Sequence, residues 1–335
     1  MILEKFLLRR PFIIAEISCN HLGNKKMFDK IVKKAFDCGA SAVKFQTSTP
    51  NCLTRNFDGN EFYVNKSKSN LWGGMHLFDL YKKTCTPVSW SVNKIIELKK
   101  MKQLGFSTPF SVEMLEILEK KAKPLLYKIS SLDWNYLDLL KKCISKKKPV
   151  LLSLTNPEKQ VKFLYKNGVK KFIPMYCISK YPATLDHLSM KQLDFVCNMN
   201  TKYKGFSDHS LTDDIAVIAV SKGINILEKH FILDKKHKSE DAAFSVDPEG
   251  FKKYVNVCNK IYQAKHNNKI FTTLTNGRSL YFDVDLKKNQ IIKKKYICCI
   301  RPGGGLDSSH LKKIIGLRVK THIKRGKKVS YKDIS

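Results

Sequence analysis

Short apolar runs alternate with segments of helical periodicity from the start of the chain to about residue 265. The runs have the length of buried strands, and the intervening segments carry apolar residues at the spacing of amphipathic helices. The predicted strands are Phe12–Ile17, Ala42–Phe45, Phe106–Thr108, Leu125–Ile129, Pro149–Ser153, Phe172–Tyr176, a short run ending in Ser207-Asp208-His209, and Ile224–Leu227. The predicted helices are Lys26–Cys38, Ser91–Lys102, Val112–Lys121, Tyr136–Ser145, Glu158–Lys166, Leu188–Cys197, Leu211–Lys222 and Pro248–Ala264.

About eight β–α units of this kind have the size of an α/β chain folded as a (β/α)8 barrel. The structural alternative is a doubly wound open sheet, which would carry a glycine-rich phosphate turn after its first strand; the sequence has none there. Residues 47–90 interrupt the alternation with a long polar and aromatic insertion. Because it is too long for a plain connection, we predict that this insertion is functional.

The pattern changes beyond residue 265, where a polar, turn-rich stretch (266–278) reads as a linker to a small β module. Within that module, Asp285–Ile297 and His322–Ile334 form an internal sequence repeat, with apolar residues at matching positions. Between the copies lies the segment Arg301–Gly305 (RPGGG), a loop able to present one arginine to a polar group of a ligand. The sequence therefore predicts a barrel over 1–265, a linker over 266–278 and a second domain over 279–335.

Polar or ionisable residues stand at or just past the carboxyl end of nearly every predicted strand. They are Glu16, Asn20, His21, Lys44, Gln46, Thr108, Lys128, Ser131, Ser153, Ser179, Tyr181, Ser207, His209, Glu228 and His230. In a parallel barrel these positions converge on the face that carries active sites. The pattern therefore favours an enzyme.

His209 and His230 follow two strands joined by one helical crossover, which brings both strand ends to the same edge of the sheet. Two imidazoles with nearby oxygens suit a divalent cation such as Mn, Fe, Co or Zn. The structural alternative is that both histidines cap strands and bond to backbone.

Lys44 and Lys128 lie at two other strand ends, among serine and threonine hydroxyls. Two cations and several hydroxyl donors make a cradle for phosphate and carboxylate. Either lysine could instead form a Schiff base, although a metal that polarises a carbonyl would make that redundant. Together these groups indicate carbon–carbon bond formation or hydrolysis with a phosphorylated substrate.

The net charge of +33 changes this interpretation little. Lysine supplies nearly all of it and is spread over most predicted helix faces, whereas a nucleic-acid surface would favour arginine with interleaved aromatics. We therefore expect no nucleic-acid partner. The ten cysteines are scattered without a CxxC motif, no apolar run could span a membrane, and no signal peptide is evident. These features predict a cytoplasmic protein.

Seven motifs resemble, in this order, the sialic acid synthase family: IIAEISCNH, SAVKFQT, STPFS, YKISS, GFSDHS, EKHF and DAAFS. The resemblance extends to a C-terminal antifreeze-like (SAF, β-clip) domain carrying RPGGG. Within the family, the insertion LWGGMHLFDLYKKTCTPVSW and Ser179 in CISKYP resemble the pseudaminic acid synthase branch more than the N-acetylneuraminate branch.

The resemblance implies a condensation of phosphoenolpyruvate with an open-chain acetamido sugar, a 6-deoxy diacetamido hexose in the pseudaminic branch. C3 of phosphoenolpyruvate attacks the sugar aldehyde, water adds at C2, and phosphate leaves with C–O cleavage. His209 and His230 would hold the divalent cation, with manganese the first choice and magnesium or cobalt as alternatives. The residues implied as catalytic are Glu16, Lys44, Lys128, Asp133 and His209. Those implied to bind substrate are Gln46, Thr108, Ser131, Ser153, Ser179, Tyr181, Ser207, Glu228, Asp241 and Arg301.

In the implied assembly, Arg301 reaches into the partner's barrel in a domain-swapped homodimer and contacts the sugar's N-acyl group. Three departures from the family pattern predict altered substrate choice or reduced activity. Asp133 replaces a glutamate, Leu154-Thr155 replaces Thr-Gly after Ser153, and Glu240 precedes Asp241 where Gly-Pro is common. The alternatives are an N-acetylneuraminate or legionaminate synthase, and a catalytically impaired sugar- or polyanion-binding protein.

Overall fold

The chain divides into two compact units, residues 1–267 and 268–335. A computed structural model describes residues 10–66, 71–269 and 277–335. The predicted linker therefore lies partly outside the described residues, as does the short stretch 67–70 of the insertion.

The first unit is a closed barrel of eight parallel strands, in which β8 pairs with β1. The strands are β1 Phe12–Glu16, β2 Ala42–Thr47, β3 Gly105–Pro109, β4 Tyr127–Ile129, β5 Val150–Leu154, β6 Ile173–Cys177, β7 Gly205–Asp208 and β8 Ile226–His230. Closure confirms the predicted barrel and excludes the open sheet. Each predicted strand lies within three residues of an observed one at both ends.

Helices follow the strands around the outside of the barrel. The helices of this unit are α1 Lys25–Asp37, α2 Pro50–Leu53, α3 Leu77–Thr84, α4 Val88–Lys100, α5 Val112–Lys121, α6 Leu137–Ser145, α7 Pro157–Lys166, α8 Met190–Asn198, α9 Asp214–Lys222 and α10 Pro248–Lys265. Their starts have a local cause, because Asn24, Ser111 and Asp247 accept a backbone N–H from the first turns of α1, α5 and α10.

The insertion differs most from the prediction, because the sequence pattern assigns no helix within residues 47–90. It contains α2 and α3, and α4 begins three residues before the predicted Ser91. In α3, Leu80 is the buried residue of a helix that is otherwise at least partly exposed. The sequence signal for this helix was weak because only a narrow apolar stripe faces the protein.

Strand side chains alternate between two apolar layers, as the pleat requires. Outward residues such as Val43, Phe206 and Leu227 pack between strands and helices. Inward residues such as Ile14 and Ile226 fill the barrel at its amino end. Toward the carboxyl ends the inward positions become polar: Glu16, Lys44, Gln46, Thr108, Lys128, Ser153, Ser207, Glu228 and His230. The same alternation thus builds a core at one end and a site at the other.

The second unit contains two antiparallel strands, β9 Ser279–Phe282 and β10 Ile297–Ile300, and the short helix α11 Leu311–Ile314. The internal sequence repeat of Asp285–Ile297 and His322–Ile334 is also visible in the structure. Leu286 and Ile323, which occupy equivalent positions in the two copies, exchange both backbone hydrogen bonds at 2.9 Å and are fully buried. Val329 and Ile334 join the same core. The repeat therefore builds one shared hydrophobic core.

None of the described helices is long and apolar enough to cross a bilayer. All ten cysteines are free thiols.

Candidate active site

A cleft of about 510 Å³ opens at the carboxyl ends of the barrel strands. Its volume is typical of a small-molecule site. Most of the predicted site residues line it: Lys44, Gln46, Thr108, Lys128, Ser131, Asp133, Ser153, Tyr181, Ser207, His209, Glu228, His230 and Asp241. A depression of about 550 Å³ along the insertion, lined by Asn60, Tyr63 and Lys66 among others, contains none of them. The predicted catalytic and binding residues are therefore concentrated in the barrel cleft.

Three predicted residues do not line the cleft. Glu16 is fully buried against Lys44 and Gln46, which do line it. Ser179 shares a hydrogen bond of 2.9 Å with Ser131. Arg301 is exposed in the second unit, so its role at the cleft stays a prediction.

Two lysines and two carboxylates form a buried charge cluster at one side of the cleft. Lys44 Nζ lies 2.7 Å from Glu16 Oε2 and 3.8 Å from Glu228 Oε2. Lys128 Nζ lies 3.4 Å from Glu228 Oε1. Glu228 therefore stands between both lysines, a position that sequence reasoning did not anticipate.

The four groups respond differently to burial. Burial raises the pKa of Glu16 although Lys44 opposes it. Burial lowers the pKa of Lys128, which lacks a contact as close as that between Lys44 and Glu16. For Lys44 and Glu228, burial is outweighed by the opposite charges around them, so the pKa of Lys44 is raised and that of Glu228 is lowered. Glu16 is thus suited to hold a proton, and Lys128 would gain most from an incoming anion.

Hydroxyl groups lie beside these lysines. Lys44 Nζ donates to Thr108 Oγ1 at 3.3 Å, and Ser153 and Ser207 share a hydrogen bond of 2.7 Å across β5 and β7. Hydroxyls paired only with each other can turn their protons toward a ligand oxygen. The side chain of Leu154 is buried in the outer apolar layer and stays out of the cleft.

His209 and His230 come together as predicted, with ring centroids 5.4 Å apart. The strand register explains this, because Asp208 pairs with Lys229 and each histidine is the next residue. His209 Nδ1 donates to the carbonyl of Ile178 at 2.9 Å, which leaves the Nε2 lone pair available. His230 Nδ1 is buried and has no hydrogen-bond partner among the described residues.

These two imidazoles fit a divalent cation. Burial lowers the pKa of His230 well below its usual range, so its ring is a neutral ligand near pH 7. At His209 burial lowers the pKa, but Cys177, the hydrogen bond to Ile178 and the charge of Glu228 together outweigh it, so the pKa is raised. Across the described ranges, no group of three or more His, Cys, Asp or Glu side chains is arranged to hold a metal. His209 and His230 are the residues that could contribute ligands to such a cation.

Two further carboxylates face the cleft. Burial raises the pKa of both Asp133 and Asp241. Asp133 accepts a hydrogen bond from Ser130. Asp241 accepts one from Ser18 and has Oδ2 3.7 Å from His230 Nδ1. Both carboxylates can therefore exchange protons at less acidic pH than an exposed aspartate.

A hydrogen-bonded chain connects Asp241 to Glu16. Gln46 Nε2 donates to Glu16 Oε1 at 3.1 Å and to Ser18 Oγ at 3.3 Å. Ser18 has a φ of 50°, in the left-handed region that non-glycine residues rarely adopt. Such strain often occurs at functional sites, and here it accompanies the contact of Ser18 with Asp241.

The insertion forms an apolar wall on the cleft, defined here as Leu53, Trp72, Leu77 and Leu80. Trp72 Nε1 donates to the Glu240 carbonyl at 3.2 Å, and Lys83 Nζ lies 2.5 Å from Glu240 Oε1. These contacts attach the wall to the loop after β8.

Aromatic rings continue the wall toward the histidines. Tyr181 and Phe244 lie 6.1 and 6.4 Å from Trp72 between ring centroids. Tyr181 is 4.5 Å from His209, and Phe244 is 4.8 Å from His230. Sequence reasoning missed Trp72 and Phe244 as site residues, because neither follows a strand and single aromatics are common in any core.

Two strand-end residues that the sequence singled out do not reach the cleft. His21 Nδ1 accepts from the Gly23 N–H at 3.0 Å, and His21 Nε2 therefore donates to Thr86 Oγ1 at 2.8 Å. Asn20 Nδ2 donates to Phe231 O at 2.9 Å and to Ser245 Oγ at 2.8 Å. Both side chains brace loops around the site.

The fold and the cleft define a (β/α)8-barrel enzyme with its active site at the carboxyl ends of the strands. Residues 31–269 match the NeuB family, and the chain belongs to that family. It is 32% identical over 329 residues to pseudaminic acid synthase of Campylobacter jejuni, which covers 95% of each chain. It is 32% identical to pseudaminic acid synthase of Helicobacter pylori, covering 98% of this chain and 99% of the relative. The crystal structure of N-acetylneuraminic acid synthetase from Leptospira borgpetersenii is similar, with a TM-score of 0.64 and 25% identity over 80% of this chain and 89% of that one.

Proposed function

We propose that this enzyme condenses phosphoenolpyruvate with an open-chain 6-deoxy diacetamido hexose, forms a nonulosonic acid of the pseudaminic type, and releases phosphate. The observation that carries the proposal is one cleft in which a lysine–hydroxyl cradle, two imidazoles and an apolar wall adjoin. The similarity to two pseudaminic acid synthases over at least 95% of the chain supports the same activity.

Phosphoenolpyruvate would bind the lysine side of the cleft. Lys44 and Lys128 neutralise its phosphate and carboxylate, with Thr108, Ser153 and Ser207 donating hydrogen bonds. Ser131, with Ser179 behind it, would orient the carboxylate. The negative charge of the anion favours the charged form of Lys128, whose pKa is lowered by burial.

His209 and His230 would hold the cation, with manganese the first choice. A bound divalent cation supplies Lewis-acid polarisation of the sugar aldehyde. The hydrogen bond from His209 to Ile178 fixes the ring and leaves its other nitrogen free for this role. The Asp241 carboxylate and Tyr181 would hold the sugar hydroxyls nearby.

The reaction needs balanced proton transfers. The C3–C1 bond forms between phosphoenolpyruvate and the sugar, and the aldehyde oxygen takes a proton. Water then adds its oxygen to C2 and loses a proton, and the C2–O bond breaks as phosphate leaves. Glu16 and Asp133, whose carboxyls have raised pKa values, are the groups we assign to these transfers. Because Asp133 is one methylene shorter than glutamate, it would act through a bridging water or on a shifted substrate.

The apolar wall supports the choice of a 6-deoxy sugar. A C6 methyl group against Leu77, Leu80 and Trp72 would be removed from water, whereas a C6 hydroxyl would lose hydrogen bonds there. A pocket of this kind rejects an added hydroxyl by only about 100-fold. N-acetylneuraminate and legionaminate synthesis are the alternatives that substrate comparison distinguishes.

We also propose that residues 1–265, 266–278 and 279–335 are the barrel, the linker and an antifreeze-like SAF domain. The loop that carries Arg301 is held by Lys328 Nζ, which donates to Gly303 O at 2.8 Å, and by Tyr281, whose hydroxyl donates to Pro302 O at 2.7 Å. A loop held this way can present Arg301 to the sugar's N-acyl group in a partner's barrel of a swapped homodimer. The scattered spacing of the ten cysteines, without a CxxC motif, supports a reducing compartment such as the cytoplasm.

The test is phosphate release from phosphoenolpyruvate with Mn²⁺, offering 6-deoxy diacetamido hexoses and N-acetylmannosamine in parallel and measuring product mass. Turnover with a 6-deoxy sugar alone supports the proposal, and the mass identifies the addition of a three-carbon acid. Turnover with N-acetylmannosamine would instead identify the enzyme as an N-acetylneuraminate synthase. His209→Ala serves as the inactive control. No turnover with any sugar in a folded protein that binds Mn²⁺ would contradict the proposal and point to the departures at Asp133 and Leu154.

A further inference from the structure

Directly behind the two site histidines lies a fully buried ion pair. Lys229 Nζ is 2.9 Å from Asp208 Oδ2, and both side chains are 0% exposed. Asp208 precedes His209 and Lys229 precedes His230, so their side chains point to the helix-facing side of the sheet while the histidines face the cleft. The pair is thus outside the cleft but adjacent in the chain to both candidate ligands.

The two side chains enclose the backbone of His209. Asp208 Oδ1 accepts both the N–H and the hydroxyl of Ser210, at 2.8 and 2.7 Å, which makes a local turn around His209. Lys229 Nζ also reaches beyond His209, to Ser210 Oγ at 3.1 Å and the Thr212 carbonyl at 3.2 Å. One ammonium group on β8 therefore contacts the chain on both sides of the histidine that follows β7.

The same face of the same two strands offers an internal comparison. Two residues earlier, Phe206 pairs with Leu227 at an equivalent register, and this apolar pair packs in the outer core. The barrel can therefore fill this face with hydrocarbon. Burying two charges instead costs desolvation, and apolar replacements of such pairs are often as stable. Stability alone does not explain why an ion pair occupies the positions immediately before the two histidines.

The surroundings leave the pair little freedom. The Lys229 ammonium lies 4.8 Å from the ring centroid of Tyr254 on α10, a cation–π arrangement that closes the pair off from the helix side. The main chain on the other side is held as well, because Ala183 donates its backbone N–H to His209 O at 3.0 Å and Val246 donates to His230 O at 3.0 Å. A change in the ion pair would therefore alter the orientation of the two imidazole rings.

We propose that Asp208 and Lys229 are positioning residues that set the relative orientation of His209 and His230 and so determine the affinity of the cleft for a divalent cation. The inference rests on the metal site proposed above and not on the identity of the sugar. Neither residue touches substrate or metal; each acts through the histidine beside it.

The experiment compares Mn²⁺ binding by the full-length parent and by Asp208→Asn/Lys229→Met, using the electron paramagnetic resonance signal of free Mn²⁺ during titration. The double variant removes both charges, keeps an oxygen that can accept from Ser210, and avoids leaving one charge buried alone. The matched control is Leu227→Ala, which weakens the same face of β8 without touching the pair. Melting temperatures are measured for all three.

We expect the double variant to bind Mn²⁺ about 10- to 100-fold more weakly, the usual cost of losing groups that orient metal ligands. Leu227→Ala should keep the parent's affinity even where its melting temperature is lower. Unchanged Mn²⁺ affinity in the folded double variant would overturn the proposal, as would a parent that binds no Mn²⁺. A parent that binds Mn²⁺ but turns over no sugar refutes only the proposed function.

Discussion

Acid should destabilise this protein partly through one buried histidine, His21, that does not line the active-site cleft. His21 is 1% exposed and connects the loop after β1 to Thr86 at the end of the insertion. Its Nδ1 accepts the Gly23 N–H, so protonation of the ring would remove that hydrogen bond. The proposed perturbation is a fall in pH, compared between the parent and His21→Asn.

Burial lowers the pKa of His21 from 6.5 to about 4. The gap of about 2.5 pH units, at 1.36 kcal/mol per unit, corresponds to about 3 kcal/mol. The sign follows from proton binding: between these two pH values the unfolded chain binds a proton on His21 and the folded protein does not, so the free energy of unfolding decreases as pH falls. The contribution is complete above pH 6.5 and is lost by about pH 4.

The assay is urea unfolding at several pH values between 7 and 4. His230 also has a lowered pKa and adds to the parent's slope, so the informative quantity is the difference between parent and variant. We expect His21→Asn to have a lower free energy of unfolding than the parent at pH 7. Between pH 7 and 4 its free energy of unfolding should fall by up to about 3 kcal/mol less than that of the parent. His187→Asn, at an exposed position, is the control and should keep the parent's profile. An equal acid slope in parent and His21→Asn would refute the reasoning.

Three further predictions concern the cleft and its support. Lys128→Met should lower kcat about 100- to 1,000-fold in the phosphate-release assay, with Glu228 still 3.8 Å from Lys44 to limit the effect on folding. A normal kcat would remove Lys128 from the cradle. Gly205→Ala should destabilise the barrel by about 1–3 kcal/mol in urea, because its Cβ would lie 2.4 Å from Met175 Cγ. An unchanged midpoint would show that Met175 moves freely. Trp72→Ala should reduce the ratio of kcat/KM for 6-deoxy over 6-hydroxy sugars, and an unaltered ratio would exclude the apolar wall from specificity.

Much of the barrel could be predicted from the sequence, because its signals are local. The strand runs, the helical spacing and the capping residues Asn24, Ser111 and Asp247 each act over a few positions. The pairing of His209 with His230 could also be predicted, since one crossover separates them. By contrast, the short helix α3 was missed, because its single buried residue, Leu80, leaves almost no periodic signal.

The partners of the charged residues could not be predicted in the same way. The sequence predicts Lys44 and Lys128 as the cations of an anion cradle and gives no carboxylate partner for either, yet both contact Glu228, and Lys44 also contacts Glu16. Which carboxylate meets which lysine depends on barrel register and side-chain length, and no spacing along the chain encodes it. His21 illustrates the same limit, because its strand-end position suggests chemistry while its contacts are structural.

The sequence by itself determined the eight β–α units, the polar character of the strand ends and the set of groups available for catalysis. These follow from periodicity and from the rule that parallel strands present their carboxyl ends to one face. Tertiary structure alone decided that Trp72 reaches a cleft built on the strands, that Glu228 lies between two lysines, and that Asp208 and Lys229 pair behind the histidines. Those relations depend on contacts between different elements of the fold, and the strand register, the closure of the barrel and the packing of the insertion bring them within a few ångströms.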